Sequence, residues 1–128
     1  MAYLLDTNIV VDLADGDENT LANVEALGAG VMMSMMTRIE LEGGAYRDRV
    51  LVAARRHRLD RVLRSIPVLA FEEDSAETYG RVLAATGYSR RKVFDRMIAA
   101  QALVYRATLV TRNASDFSDI PGLQILEW

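Results

Sequence analysis

Asp95-Arg96-Met97-Ile98-Ala99-Ala100-Gln101-Ala102-Leu103-Val104, running on through Tyr105-Arg106-Ala107 into Thr108-Leu109-Val110-Thr111, is the stretch that decides the fold class. Its first part is apolar almost all round at helical spacing, interrupted only by Gln101, which predicts a largely buried helix over residues 91–106. Its second part is a short apolar run that predicts a strand at 109–111. A buried helix that feeds at once into a short apolar strand is the repeating unit of an α/β sheet covered on both faces.

The same alternation extends in both directions. Strands are predicted at 2–5, 31–34, 68–70 and 123–126, the last separated from the strand at 109–111 by a turn at Pro121-Gly122. Between them, Asp6-Thr7-Asn8 opens a helix to about residue 15, and Asp17 to Leu27 forms a second one closed by Gly28 and Gly30. Thr37 begins a third, with Glu40 completing a capping box. Residues 48–65 place Val52, Leu59, Val62, Leu63 and Ile66 on one helical face and Arg55, Arg56, Arg58, Arg61 and Arg64 largely on the others. Asp74 and Glu77 start a helix that ends near Gly87. Strands alternating with helices predict an α/β fold: a single domain over 1–128, with a central parallel sheet of about five short strands and helices on both faces.

At 128 residues and 51% hydrophobic content, the chain is long enough for one good core and short for two. It holds no stretch near the roughly 20 apolar residues of a membrane helix, and its first residues lack a basic start followed by an apolar run. The expectation is a soluble cytoplasmic protein. Cysteine is absent, which removes disulfides, thiolate nucleophiles and cysteine zinc sites, and one histidine, His57, leaves no paired imidazoles for acid–base work.

The net charge of −3 conceals segregation. Residues 1–46 carry eight acids and one base, residues 47–64 seven bases and two acids, and residues 81–112 seven bases and one acid. Every base but Lys92 is arginine, whose planar fork suits bidentate phosphate contacts. Basic helix faces can also be simply solvated, so these segments suggest nucleic acid only in company with an acidic site.

Four acids supply that company: Asp6 after the first strand, Glu40 after the second, Asp95 at the head of the buried helix, and Asp116 beyond the strand at 109–111. Each has an ordinary reading. Asp6 and Glu40 can cap helices, Asp95 can pair with Arg91 or Arg96, and Asp116 can belong to a polar turn. Together they suggest more, because strands of one parallel sheet end on a common edge. Carboxylates gathered there repel unless a cation or proton neutralises them, and hard ions such as Mg2+ prefer oxygen ligands.

Taken in order, Leu5-Asp6-Thr7-Asn8, the run Thr37-Arg38-Ile39-Glu40-Leu41-Glu42-Gly43-Gly44, Asp95-Arg96-Met97-Ile98-Ala99-Ala100, and Leu109-Val110-Thr111-Arg112-Asn113-Ala114-Ser115-Asp116-Phe117 resemble the PIN-domain family, especially its small VapC-like toxin members. The motifs span nearly the full length. The resemblance implies an endoribonuclease that uses Mg2+ or Mn2+, held by Asp6, Glu40, Asp95 and Asp116, and leaves a 5′-phosphate and a 3′-hydroxyl. It implies roles as supporting or phosphate-binding groups for Thr7, Asn8, Thr111, Arg112 and Asn113. RNA contacts are expected from Arg55, Arg56, Arg58, Arg91, Lys92 and Arg96. A cognate antitoxin and a homodimer are the implied protein partners, with Val10, Val11, Leu13, Val50 and Leu51 as groove or dimer residues if they are not core.

Three positions depart from the family pattern. Asn113 stands where some relatives carry another acid, and Phe94 and Arg96 flank Asp95 where many have a polar residue before it and a small apolar one after it, so Arg96 is expected either to fill the pocket or to meet the scissile phosphate. The alternatives are a catalytically inactive PIN-like module that binds RNA or protein, and a phosphoryl-group enzyme on another doubly wound fold. The retained acids count against the first. Asn8, two residues after Asp6 where phosphatases of that kind need an aspartate, counts against the second.

Overall fold

Short apolar runs become five parallel strands in the computed structural model, which describes residues 1–128. These are β1 (Tyr3–Leu5), β2 (Val31–Ser34), β3 (Val68–Leu69), β4 (Thr108–Thr111) and β5 (Ile125–Glu127). The helices are α1 (Thr7–Ala14), α2 (Glu18–Leu27), α3 (Met35–Tyr46), α4 (Val52–Ser65), α5 (Glu73–Thr86) and α6 (Val93–Val104). Strand order is β3-β2-β1-β4-β5, with every pairing parallel. Leu4 pairs in register with Met32 and Leu109, and Leu5 with Met33 and Val110, which puts β1 at the centre.

Because side chains alternate along a strand, Leu4 and Leu5 face opposite ways, and each anchors its own core. Leu4 packs with Val82, Ile98, Ala99, Ala102, Leu109, Phe117 and Ile120, so α5 and α6 cover that face. Leu5 packs with Ile9, Val10, Met33, Val62, Ile66 and Val110, so α1 and α4 cover the other. The α/β architecture with helices on both faces is therefore as expected. No helix is long and apolar enough to cross a membrane.

Several boundaries differ from the sequence expectation, each for a local reason. α3 starts at Met35 rather than Thr37, because the Ser34 hydroxyl accepts the Met36 amide and caps the helix as β2 ends. The capping box at Thr37 and Glu40 does not form. The basic helix begins at Val52, since the Asp48 carboxylate accepts the Val50 amide and opens a 3-10 turn over Arg49–Leu51. A second 3-10 turn, Arg90–Lys92, precedes α6. α6 ends at Val104, where Arg106 adopts a left-handed φ of 51° and the Ala107 amide closes on the Ala102 carbonyl. β5 lies at 125–127 instead of 123–126, because pairing with β4 begins at Leu109 and Ile125.

Of the apolar groove or dimer residues, Val10 is core and Leu13 packs against that core. Val11, Val50 and Leu51 stay at the surface, Val50 at 89% exposure.

Candidate active site

Each strand of a parallel sheet hands its next residue to the same edge, and that edge receives three of the four acids. Asp6 follows β1 and caps α1, Glu40 lies in the second turn of the helix that follows β2, and Asp116 closes a 3-10 turn, Ala114–Asp116, just after β4. Asp95 arrives differently. It sits in the first turn of α6, whose far end connects by a three-residue link to the start of β4, so the helix runs back along the strand and its N-terminus returns to the same edge.

Asp6 is the most tightly held. It is 6% exposed, its Oδ1 accepts the Thr7 amide at 2.8 Å, and its Oδ2 accepts the Thr111 hydroxyl at 2.7 Å. The cap reading of Asp6 and its place in the cluster are thus both true. Thr111 also accepts the Asn113 amide at 3.1 Å, which sets the course of the chain toward Asp116. Thr7 Oγ1 lies 3.0 Å from Thr37 Oγ1 and 3.2 Å from Glu40 Oε1. A hydroxyl has a single proton, so when Thr7 donates to Glu40, Thr37 must donate to Thr7. Fully buried Thr37 therefore positions Glu40 through Thr7. Freed from a cap, Glu40 faces the cluster.

The electrostatics are those of crowded carboxylates. Burial raises the Asp6 carboxyl despite the hydrogen bonds from Thr111 and Thr7, and the charge of Asp116 adds to the rise. Burial likewise raises Glu40, opposed by the Thr7 hydrogen bond and reinforced by Asp6 and Asp95. Asp95 is pushed up to about 6, first by burial and then by the charges of Asp6 and Asp116, against the pull of Arg96 and Lys92. None of the ion pairs of the chain includes any of the four acids.

That donor set suits a hard divalent cation: four oxygen-bearing side chains, mutually repelling and bound in no ion pair. The Asn8 Oδ1, two residues from Asp6, is buried and has no hydrogen-bond partner, as an atom that completes its contacts with a ligand or its water would be. No three of the acids are already closed into a metal-holding group.

The basic residues divide. A cleft of about 590 Å³ opens from Thr7 and Glu40 and is lined by Val11, Ile39, Phe94, Arg47, Arg55 and Arg58. Arg55 is steadied there by the Gly44 carbonyl at 3.0 Å, and Arg58 lies 3.6 Å from Asp15. Arg56 points elsewhere and is tied to Glu42 and Asp60. Arg91 and Lys92 sit in the turn before α6. Arg112 pairs with Asp12 at 2.8 Å and donates to Thr20, so it braces α1 and α2. Exposed Asn113 accepts no side-chain bond and precedes the turn that carries Asp116.

Arg96 requires correction. It neither fills the pocket nor reaches toward substrate; it is 3% exposed and bound bidentately to Asp119 at 2.7 and 2.9 Å. Ser34, Thr37 and Asp119 are the supporting residues that sequence reasoning missed in these roles. Ser34 could have been found as a cap residue at a strand end, whereas nothing local singles out Asp119.

Comparisons with known proteins bear on the family and the fold. The PIN domain family model matches residues 3–123. Ribonuclease VapC2 of Rickettsia felis is 27% identical to the chain, over 100% of it and 98% of the relative. Among solved structures, VapBC2 from Rickettsia felis bound to a DNA fragment from its promoter superposes with a TM-score of 0.88 at 27% identity, covering 100% of this chain and 99% of the other. A toxin–antitoxin complex from Klebsiella pneumoniae gives a TM-score of 0.78 at 27% identity, covering 98% and 96%.

Proposed function

The chain belongs to the PIN-domain family, and on that premise we propose that it is a divalent-metal-dependent endoribonuclease, the toxin of a toxin–antitoxin pair. The observation that carries the chemistry is the gathering of Asp6, Glu40, Asp95 and Asp116 at one sheet edge, where burial first and then the charge of other members of the four raise Asp6, Glu40 and Asp95. The ribonuclease name of the relatives and their occurrence in toxin–antitoxin complexes supply the substrate class and the kind of partner.

Asp6, Asp95 and Asp116, with Glu40, would hold Mg2+ or Mn2+. Such an ion, when bound, supplies positive charge that polarises a phosphoryl oxygen and makes a water acidic enough to attack. The chain supplies the rest. Thr7 and Thr111 hold Asp6 in one orientation, each engaging a different oxygen, which leaves a lone pair on each oxygen for an ion. Glu40 is held by Thr7 through Oε1, which leaves its other oxygen to take a proton from the attacking water. Arg55 and Arg58, on the wall of the cleft, would meet the RNA phosphates, and Phe94 offers a partly exposed ring on which a base can stack. Attack by water on the phosphodiester would leave a 5′-phosphate and a 3′-hydroxyl. The antitoxin would close the same cleft, whose apolar lining of Val11, Ile39 and Phe94 gives a peptide something to bury.

Mapping new 5′ ends in total bacterial RNA after incubation with the protein and Mn2+ tests this reading. Discrete 5′-phosphate ends that vanish with EDTA and with Asp6→Asn are expected. Folded protein that binds Mn2+ and produces no such ends would leave a non-cutting RNA- or protein-binding module in its place.

A further inference from the structure

Asp116 is held in a loop that is tied down almost residue by residue. The Asn113 amide bonds to Thr111, the Ala114 amide to Glu127 Oε2 at 2.9 Å, and Phe117 and Ile120 are buried in the core. The one side-chain hydrogen-bonded tie between this loop and α6, the helix that carries Asp95, is the pair of bonds from Arg96 to Asp119.

That pair has features that a surface ion pair lacks. The Arg96 side chain is 4% exposed, and its Nε is buried without a partner. A buried guanidinium costs more desolvation than an apolar side chain of similar size at the same place, so its presence is poorly explained by stability alone. A bidentate guanidinium–carboxylate contact fixes both distance and direction. Here it joins the residue next to Asp95 to the residue three beyond Asp116. The charge of Asp116 already acts on Asp95, and the distance between them follows from where the loop is held against α6.

We propose that Arg96 and Asp119 form a positioning pair that sets the spacing of Asp95 and Asp116, and through it the affinity of the site for a divalent ion, without touching ion or RNA. This rests on the metal-site reading of the proposed function. Groups that orient metal ligands typically change affinity on the order of 10–100-fold when removed.

The test is Mn2+ binding without RNA, followed by loss of the free-ion signal in electron paramagnetic resonance. Loss of the Asp119 carboxylate leaves the Arg96 guanidinium, 4% exposed, without its partner and destabilises the fold, so binding is measured at a temperature at which circular dichroism shows each variant folded. Asp119→Asn is expected to weaken Mn2+ binding on the order of tenfold. Asp119→Glu, which keeps the carboxylate, should stay within a few-fold of wild type. Because the pair acts through Asp116, Asp116→Asn combined with Asp119→Asn should bind no more weakly than Asp116→Asn alone. General loosening of the fold would instead weaken binding in both backgrounds. Additive losses, or unchanged affinity in Asp119→Asn while wild type binds, would overturn the positioning pair alone. Wild-type protein that takes up no Mn2+ would overturn the metal-site reading, and the pair with it.

Discussion

Replacing Asp95 by Asn should make the metal-free protein more stable, although it removes a residue at the centre of the proposed chemistry. The Asp95 carboxyl is raised from 3.8 to about 6 by burial and by Asp6 and Asp116. At about 1.4 kcal/mol per pKa unit, the folded state carries a penalty of up to about 3 kcal/mol at pH 7.5. Asp95 is partly exposed, so solvent screening brings this to about 1–2 kcal/mol. For a domain of this size that corresponds to a melting temperature higher by on the order of 3–8 °C in Asp95→Asn. The folded value lies above the unfolded one, so the folded protein binds more protons between about pH 4 and 6, and stability is lost as pH rises through that window. The gain from Asp95→Asn should accordingly be full above pH 6 and shrink toward pH 4. Thermal melts in EDTA across that range measure it. Saturating Mn2+ should reverse the order, because an ion at 100 times its Kd stabilises the wild type by about 2.7 kcal/mol and the variant by less. A variant less stable than wild type in EDTA at pH 7.5, or a gain that does not vary with pH, would refute the reasoning.

Arg55→Ala with Arg58→Ala should weaken RNA binding and lower the slope of log K against log salt by about 1.4, at roughly 0.7 per single-strand phosphate contact. Arg56→Ala should leave the slope unchanged, because Glu42 and Asp60 already occupy that guanidinium; filter binding over a salt series separates the two. Gln101→Leu should destabilise the fold by about 2–4 kcal/mol in urea denaturation, since it strands the Leu69 and Ala70 carbonyls and the Ser34 hydroxyl, all of which Gln101 satisfies from a fully buried position.

Gln101 also illustrates how far the sequence could be read. It appeared there only as a break in an apolar helix. In the fold it is the polar bridge from α6 to the ends of β2 and β3, a role that depends on strands 31 to 67 residues away in the chain. Glu40 went the other way: four residues of local sequence spelled a cap, and the Ser34 hydroxyl took that role first by reaching the Met36 amide. Two caps compete for one helix start, and the strand end decides between them. Arg96 shows the same limit. Beside Asp95 in sequence it looked like a partner or a phosphate contact, yet the helix turns it into the core, where Asp119 meets it.

What the sequence by itself determined was the alternation of strands and helices, hence the parallel sheet, and the placing of Asp6, Glu40 and Asp116 just beyond strands or on the helix that follows one. Those properties depend on periodicities of two and 3.6 residues and on capping over a single turn, which are local. Only the tertiary structure decided which groups hold the acids: Thr111 for Asp6, Thr37 acting through Thr7 for Glu40, and the tethered loop for Asp116. Only there, too, did Arg96 pair with Asp119 and leave the acids without an ion-pair partner. Hydrogen bonds and ion pairs are won by whichever group packing brings within about 3 Å, and that distance is set by the core and not by separation along the chain.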